Sequence, residues 1–177
     1  GFKGPEQVRD NKPYHDEITN EWVAPFFMAA INTKNVHRSN AMMGHPYGEN
    51  FLYDEMFSCG PGEAGQKKAE LISAYNPLLG DNVPKPGEGP SKESRDSGSY
   101  DMLFTGIDDG EIKINISVKG EGDPGYSSTS KMIAESALCL LFDCPELAGG
   151  IYTTAPAMGQ KLIDRLEDKD VMYFSEE

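Results

Sequence analysis

The chain has 177 residues, room for one domain of ordinary size whose core needs neither disulfide nor metal to form. Its 29 acidic residues against 16 basic ones give a formal net charge of −13, a surface that repels phosphate backbones and anionic lipid. Nucleic acid and membrane are therefore not expected partners.

Residues 1–20 read as an irregular lead-in, with Pro5, Pro13 and no hydrophobic period. The chain opens at Gly1 with neither Met nor signal peptide, as expected of a piece processed or cut from something longer. From Pro25 the spacing of Phe26, Phe27, Ala29, Ala30, Ile31 and Val36 predicts a largely buried helix over 25–43, stopped by Gly44. The aromatic run 50–58 predicts a strand, and 63–75 an amphipathic helix ended before Pro77. Residues 77–97, with four prolines and many charges, read as a long loop. Two period-2 runs, 100–107 and 111–118, flank Asp108-Asp109-Gly110, which is a strong hairpin signal. Helical spacing returns over 127–143, with Ser127, Ser128, Thr129 and Ser130 as competing caps. A last helix over 155–169 and a short strand over 171–174 complete the order. The expected fold is α+β: a mostly antiparallel or mixed sheet with helices packed on it, as a single domain over 21–177.

The chemistry is sparse. No Walker loop, HExxH or GxSxG is present, and no GxGxxG opening a helix after an apolar strand is recognised. The stretch Gly120 to Gly125 comes nearest, with the wrong spacing and two acids that would push a pyrophosphate away. Cys59, Cys139 and Cys144 are odd in number and lack a CxxC pair, so neither a disulfide framework nor a zinc site is expected. Cys139 reads as a buried small hydrophobe, and a reducing, cytoplasmic setting is the default. His15, His37 and His45 lack metal-ligand spacing; His37 and His45 could share a pocket with Arg38, although structural roles are favoured for each. Two polar clusters carry more weight. Asn32, Thr33, Asn35, Arg38, Ser39 and Asn40 interrupt the first helix, and their face either binds a polar ligand or hydrogen-bonds internally. Gly125 to Lys131 is hydroxyl-rich at a helix start, where backbone N–H groups suit an anion; plain N-capping is the simpler alternative.

Several strings carry a resemblance. WVAPFFMAAINTKNVHRSNAMMGHPYG (22–48), GPGEAG (60–65), PKPGEGPSKESRDSGSYDMLF (84–104), DPGYSSTSKMIAESALCLL (123–141) and GGIYTTAPAMGQKLIDRL (149–166) resemble, in this order, the saccharopine dehydrogenase-like oxidoreductases, the group that includes trans-acting enoyl reductases. The resemblance implies an NAD(P)-binding Rossmann domain ahead of this region, which no string here matches. The chain thus looks like the C-terminal portion of such an oxidoreductase, covering the substrate and inactive alone, its Rossmann domain supplied in cis or in trans. NAD(P) is implied by the resemblance only. On that basis Asn32, Arg38 and Asn40 are candidates to hold a carboxylate or carbonyl of a small-molecule substrate, with Tyr126, Ser128 and Lys131 nearby; no catalytic group and no metal site is assigned. A homo-oligomer, such as a dimer, is expected. The alternative is a non-catalytic oligomerisation or ligand-binding module, with Trp22, Phe26, Phe27, Met28, Tyr173 and Phe174 as its apolar surface.

Overall fold

The computed structural model describes residues 4–7, 11–75 and 87–177. Much of the expected 77–97 loop therefore lies outside the described residues. The fold is α+β, with two antiparallel three-stranded sheets, each in its own compact unit: Gly1–Val83 and Pro84–Glu177.

In the first unit, strand β1 (Tyr14–Asp16) pairs with β2 (Glu21–Pro25), and β2 pairs with β3 (Met56–Gly60). The lead-in thus contains a short strand. The turn after it is tied by the Asp16 carboxylate, which accepts from Ile18 N at 3.1 Å and Thr19 Oγ1 at 2.8 Å. Helix α2 (Gly62–Ala74) packs on the sheet, burying Ala69 against Ala24 and Cys59, with Trp22 and Ile72 alongside. Helix α1 (Ala29–Met42) differs from expectation in two ways. Pro25 ends strand β2 rather than opening the helix, and its place in the last pair of β2 with β3 costs only one strand-end N–H. The helix is also largely exposed: only Ser39 and Asn40 are buried, and Ile31 lies on the surface, because the asparagine-rich sequence leaves no continuous apolar stripe. The strand expected over 50–58 is shifted to Met56–Gly60, and 50–55 has no regular structure.

The second unit is built on the expected hairpin. Strand β4 (Ser99–Asp108) and β5 (Glu111–Glu121) turn at Asp109 and Gly110, both at positive φ (51° and 74°), the conformation a two-residue primed turn requires. Strand β6 (Tyr173–Glu176) joins the other edge of β5. A five-residue helix, α3 (Lys92–Asp96), capped by the Ser91 hydroxyl, precedes the hairpin inside the expected loop. Helix α4 (Ser127–Leu138) runs into a π-helical turn (Cys139–Asp143), and the last expected helix is split by Gly159 into α5 (Thr154–Met158) and α6 (Gln160–Asp168). Val118, Leu166, Val171 and Met172 form the core between sheet and helices, joined by Tyr100, Ile116, Met132, Leu162 and Phe174. Cys139, fully buried as expected, packs in a second cluster with Cys144 and Met158.

Candidate functional site

The first unit gathers polar groups at the C-terminal half of α1. Asn40, only 3% exposed, donates from Nδ2 to Gly48 O at 3.0 Å and accepts from Tyr47 N at 3.0 Å through Oδ1. Those bonds fold the turn 44–48 back over the helix end, helped by left-handed Gly44 (φ 81°) and His45 (φ 62°) and by His45 N donating to Asn40 O at 2.8 Å. The turn carries the His45 ring to the helix face that presents His37, Arg38 and Ala41. Across from it, Gln7 fastens the N-terminal stretch. Its Nε2 donates to Phe51 O at 3.2 Å and to Pro5 O at 3.3 Å, while Oε1 accepts from Tyr53 N at 3.2 Å. Between these walls lies a hollow of about 340 Å³, lined among others by Gln7, His37, Arg38, His45, Glu49 and Phe51. His37 stands edge-on to Phe51, with ring centroids 5.5 Å apart, and its Nε2 is buried without a hydrogen-bond partner in the described structure.

Asn32 lies outside that hollow. Its Nδ2 donates to Glu55 Oε2 at 2.8 Å, and Tyr53 donates to Glu55 Oε1 at 2.8 Å, so one carboxylate ties α1 to the segment before β3. Burial, then the bond to Glu55, pushes the Tyr53 phenol well above its ordinary pKa. Its proton is held, which suits a structural donor more than an acid.

In the second unit the helix start at 126–131 is filled by the chain's own carboxylate. Asp123 Oδ1 accepts from Gly125 N and Tyr126 N, both at 2.9 Å, and Asp123 O accepts from Ser128 N at 3.0 Å. None of the four hydroxyls caps the helix. Ser128 is fully buried and meets the Tyr100 hydroxyl at 2.8 Å, while Thr129 and Ser130 donate back to the carbonyls of Pro124 and Ser127. Lys131 is exposed on the surface. Tyr126 lines a separate hollow of about 460 Å³ with Gly87, Glu88, Gly89, Pro90 and Arg95. The strings 91–98 and 120–125 interlock here: Gly122 N donates to Gly98 O at 2.7 Å and Asp123 N to Arg95 O at 2.8 Å. Asn32, Arg38 and Asn40 thus belong to one unit, and Tyr126, Ser128 and Lys131 to the other; of the first three only Arg38 and Asn40 line a common hollow.

One match to GxGxxG was missed in the sequence. Gly60-Pro61-Gly62-Glu63-Ala64-Gly65 has that spacing and joins β3 to α2, the context the pattern demands. No local pattern marks its context, because β3, Met-Phe-Ser-Cys-Gly, is too short and too polar to read as an apolar strand. Gly60 and Gly62 adopt positive φ (88° and 67°), and a Cβ on Gly65 would stand 1.9 Å from Gly60 O, so this glycine seats the helix on the strand. The turn nevertheless does not fit a dinucleotide. Its strand is antiparallel to β2, outside a βαβ unit, and Glu63 occupies the first helical turn where a pyrophosphate would lie.

Among the described residues no group of three or more His, Cys, Asp or Glu is placed to hold a metal ion, and no helix is long and apolar enough to cross a membrane. Burial raises the Cys139 thiol to a pKa of about 11, helped by its hydrogen bond with Cys144, so it is a poor nucleophile.

These features define an α+β protein with polar hollows of small-molecule size. Comparison with known proteins adds a relationship. The chain is 36% identical over 169 residues to a Mycobacterium tuberculosis protein named "Putative trans-acting enoyl reductase", covering 85% of this chain and 40% of that one. It is 31% identical over 183 residues to a trans-acting enoyl reductase of Mycobacterium bovis (93% and 43% covered) and 29% over 184 residues to one of Mycobacterium ulcerans (93% and 44%). The chain is therefore related to the trans-acting enoyl reductases, and it spans about two fifths of the length of these curated relatives. No protein-family model matches the chain, and no solved structure matches it.

Proposed function

We propose that this chain is the substrate-covering, C-terminal portion of an NAD(P)-dependent, saccharopine dehydrogenase-like oxidoreductase, working with a Rossmann part supplied in cis or in trans and inactive without it. The observation that carries the reading is the shape of the similarity: it runs along 85% of this chain yet only 40% of the relative named for an enoyl reduction. The bound cofactor would supply the hydride. This chain would bind and orient the substrate and exclude water, since hydride transfer needs the two carbons held in near-attack geometry. The poor fit of both glycine-rich turns of the described structure to a dinucleotide is in keeping with a cofactor held by the other part.

The test is calorimetric titration of NADPH and NADH, with thermal unfolding alongside, on this chain and on a polypeptide that adds the Rossmann part. A ligand at 100 times its dissociation constant stabilises by about 2.7 kcal/mol. Heat and stabilisation in the longer polypeptide, and neither in this chain, are expected. Saturable binding by this chain alone would overturn the division of labour, and the turn at Gly60–Gly65 would be the place to look. In the longer protein, Arg38→Ala is expected to raise KM for the substrate more than it lowers kcat. A second reading, a non-catalytic self-associating module, is favoured by the exposed apolar face of the β4–β5 hairpin, where Met102, Phe104, Ile107, Ile112 and Ile114 are each 40–48% exposed.

A further inference from the structure

We infer that Cys139 and Cys144 form a redox-active pair, in which a small disulfide such as oxidised glutathione closes an internal disulfide across the π-helical turn and locks it. The inference goes beyond the proposed function and does not rest on it.

The backbone brings the two cysteines together. The turn Cys139–Asp143 is closed by Cys144 N, which donates to Cys139 O at 3.1 Å. With standard bond lengths that contact keeps the two Cα atoms within about 7 Å, the separation beyond which a disulfide needs the backbone to move. The side chains complete the approach: both pack in one cluster with Met158, and the two thiols hydrogen-bond to each other. A buried cysteine usually packs as a small hydrophobe. A pair joined through a π-turn, a rare element concentrated at functional sites, is a different case. The end of this turn is anchored, since Asp143 accepts from Arg165 Nη1 at 2.8 Å and its carbonyl accepts from Lys161 Nζ. Leu141 and Phe142 stand outward between the cysteines, so a bridge from 139 to 144 would fix that apolar surface in place.

Solvent reaches Cys144 (7% exposed) and not Cys139 (0%), which sets the order of steps. The Cys144 thiolate attacks one sulfur of glutathione disulfide. A bond to Cys144 forms, the glutathione S–S bond breaks, and one glutathione thiolate leaves and takes up a proton. The Cys139 sulfur, giving its proton to water, then attacks the Cys144 sulfur and displaces the second glutathione. Two protein thiols are oxidised, and one glutathione disulfide is reduced to two thiols. Burial holds the Cys139 proton and slows the second step, and the adjacency of the two sulfurs offsets this. In a reducing setting the pair rests as thiols, and a disulfide formed there belongs to the transient, redox-sensing kind.

The test incubates the whole native chain with oxidised glutathione at about pH 8, near the ordinary thiol pKa. Remaining thiols are then alkylated in denaturant and the peptides mapped without reductant. Cys59, also 7% exposed but with no second cysteine in its cluster with Ala24 and Ala69, is the internal control. The expected product links Cys139 to Cys144, leaves Cys59 alkylated, and returns to thiols with dithiothreitol. Cys139→Ser is expected to stop at a glutathione adduct on Cys144, and Cys144→Ser to leave Cys139 unmodified; if a core substitution prevents folding, the parent chain alone decides. Exchange of the Cys144 amide hydrogen should slow about tenfold or more on oxidation, because the local opening that exposes it is then tied. A link to Cys59, or oxidation of Cys59 as fast as of the pair, would overturn the pairing. Glutathione adducts that never close, or a native chain that stays reduced, would overturn the disulfide. Unchanged amide exchange would overturn the lock.

Discussion

At the scale of single residues, Asn40 shows how an amide can be mistaken for a ligand group. Both ends of its side chain are taken by the backbone of 47–48, and the gain is the turn that delivers His45. Asn40→Ala should destabilise the chain by about 1–2 kcal/mol, since the backbone partners it abandons lie at the surface and can return to water. Chemical denaturation would measure this, and an unchanged midpoint would contradict the assigned role. Cys139 gives a prediction of another kind. Its thiol is raised from 9.0 to about 11 in the folded chain, so between those values the unfolded chain loses the proton while the folded chain keeps it. Stability should therefore be complete below pH 9 and fall as the pH climbs towards 11. Iodoacetamide at about pH 8, below the ordinary thiol pKa, should spare Cys139 in the native chain and modify it in denaturant; rapid native labelling would show that the site opens.

The elements depend on a few glycines whose spatial demands differ. Gly65 is buried, and its missing Cβ lets the α2 backbone touch the end of β3. Gly62, one turn away, has φ 67° and nothing within 4 Å of where a methyl group would sit, so a side chain there meets only backbone strain. Gly65→Ala should cost about 3 kcal/mol or more by overpacking against a carbonyl that cannot move aside, and Gly62→Ala about 1–2 kcal/mol. Equal losses, read from denaturation midpoints, would contradict the close approach. The same contrast explains what the sequence revealed. The β4–β5 hairpin was legible because alternation and an Asp-Gly turn agree, and local chemistry there decides the structure. The α2 helix was legible within a residue at its start for the same reason. Pro25 is ambiguous in the sequence because an apolar run with a proline inside serves equally well as a helix start or a strand end, and only the pairing of Pro25 with Met56 decides between them. The pocket was half legible: His37, Arg38 and His45 lie close in sequence, but Gln7 and Phe51 reach them through contacts 44 residues apart that no local pattern records.

At the scale of the whole molecule, the charge of −13 sets the terms on which two copies could meet. One face of the β4–β5 hairpin carries Tyr100, Met102, Phe104, Ile114, Ile116 and Val118 in cross-strand register and no charged side chain. Its inner end is covered by the core, and its outer end is exposed. The exposed end, with Met102, Phe104, Ile107, Ile112 and Ile114, is a patch of the kind that an ordinary monomer carries, and these few half-exposed side chains fall short of the roughly 800 Å² per partner that a stable interface buries. Self-association through it should therefore be weak and dependent on concentration. The acidic surfaces brought together would oppose it at low salt, and screening over about 10 Å at 0.1 M would relieve that repulsion. Sedimentation velocity should show the dimer fraction rising with both protein and salt concentration, and falling to nothing in Phe104→Lys and Ile114→Lys. Dimerisation that weakens with salt, or that survives both substitutions, would place the contact elsewhere. A chain that stays monomeric under all these conditions would remove the observation favouring a self-associating module, and leave the hairpin face as ordinary exposed apolar surface.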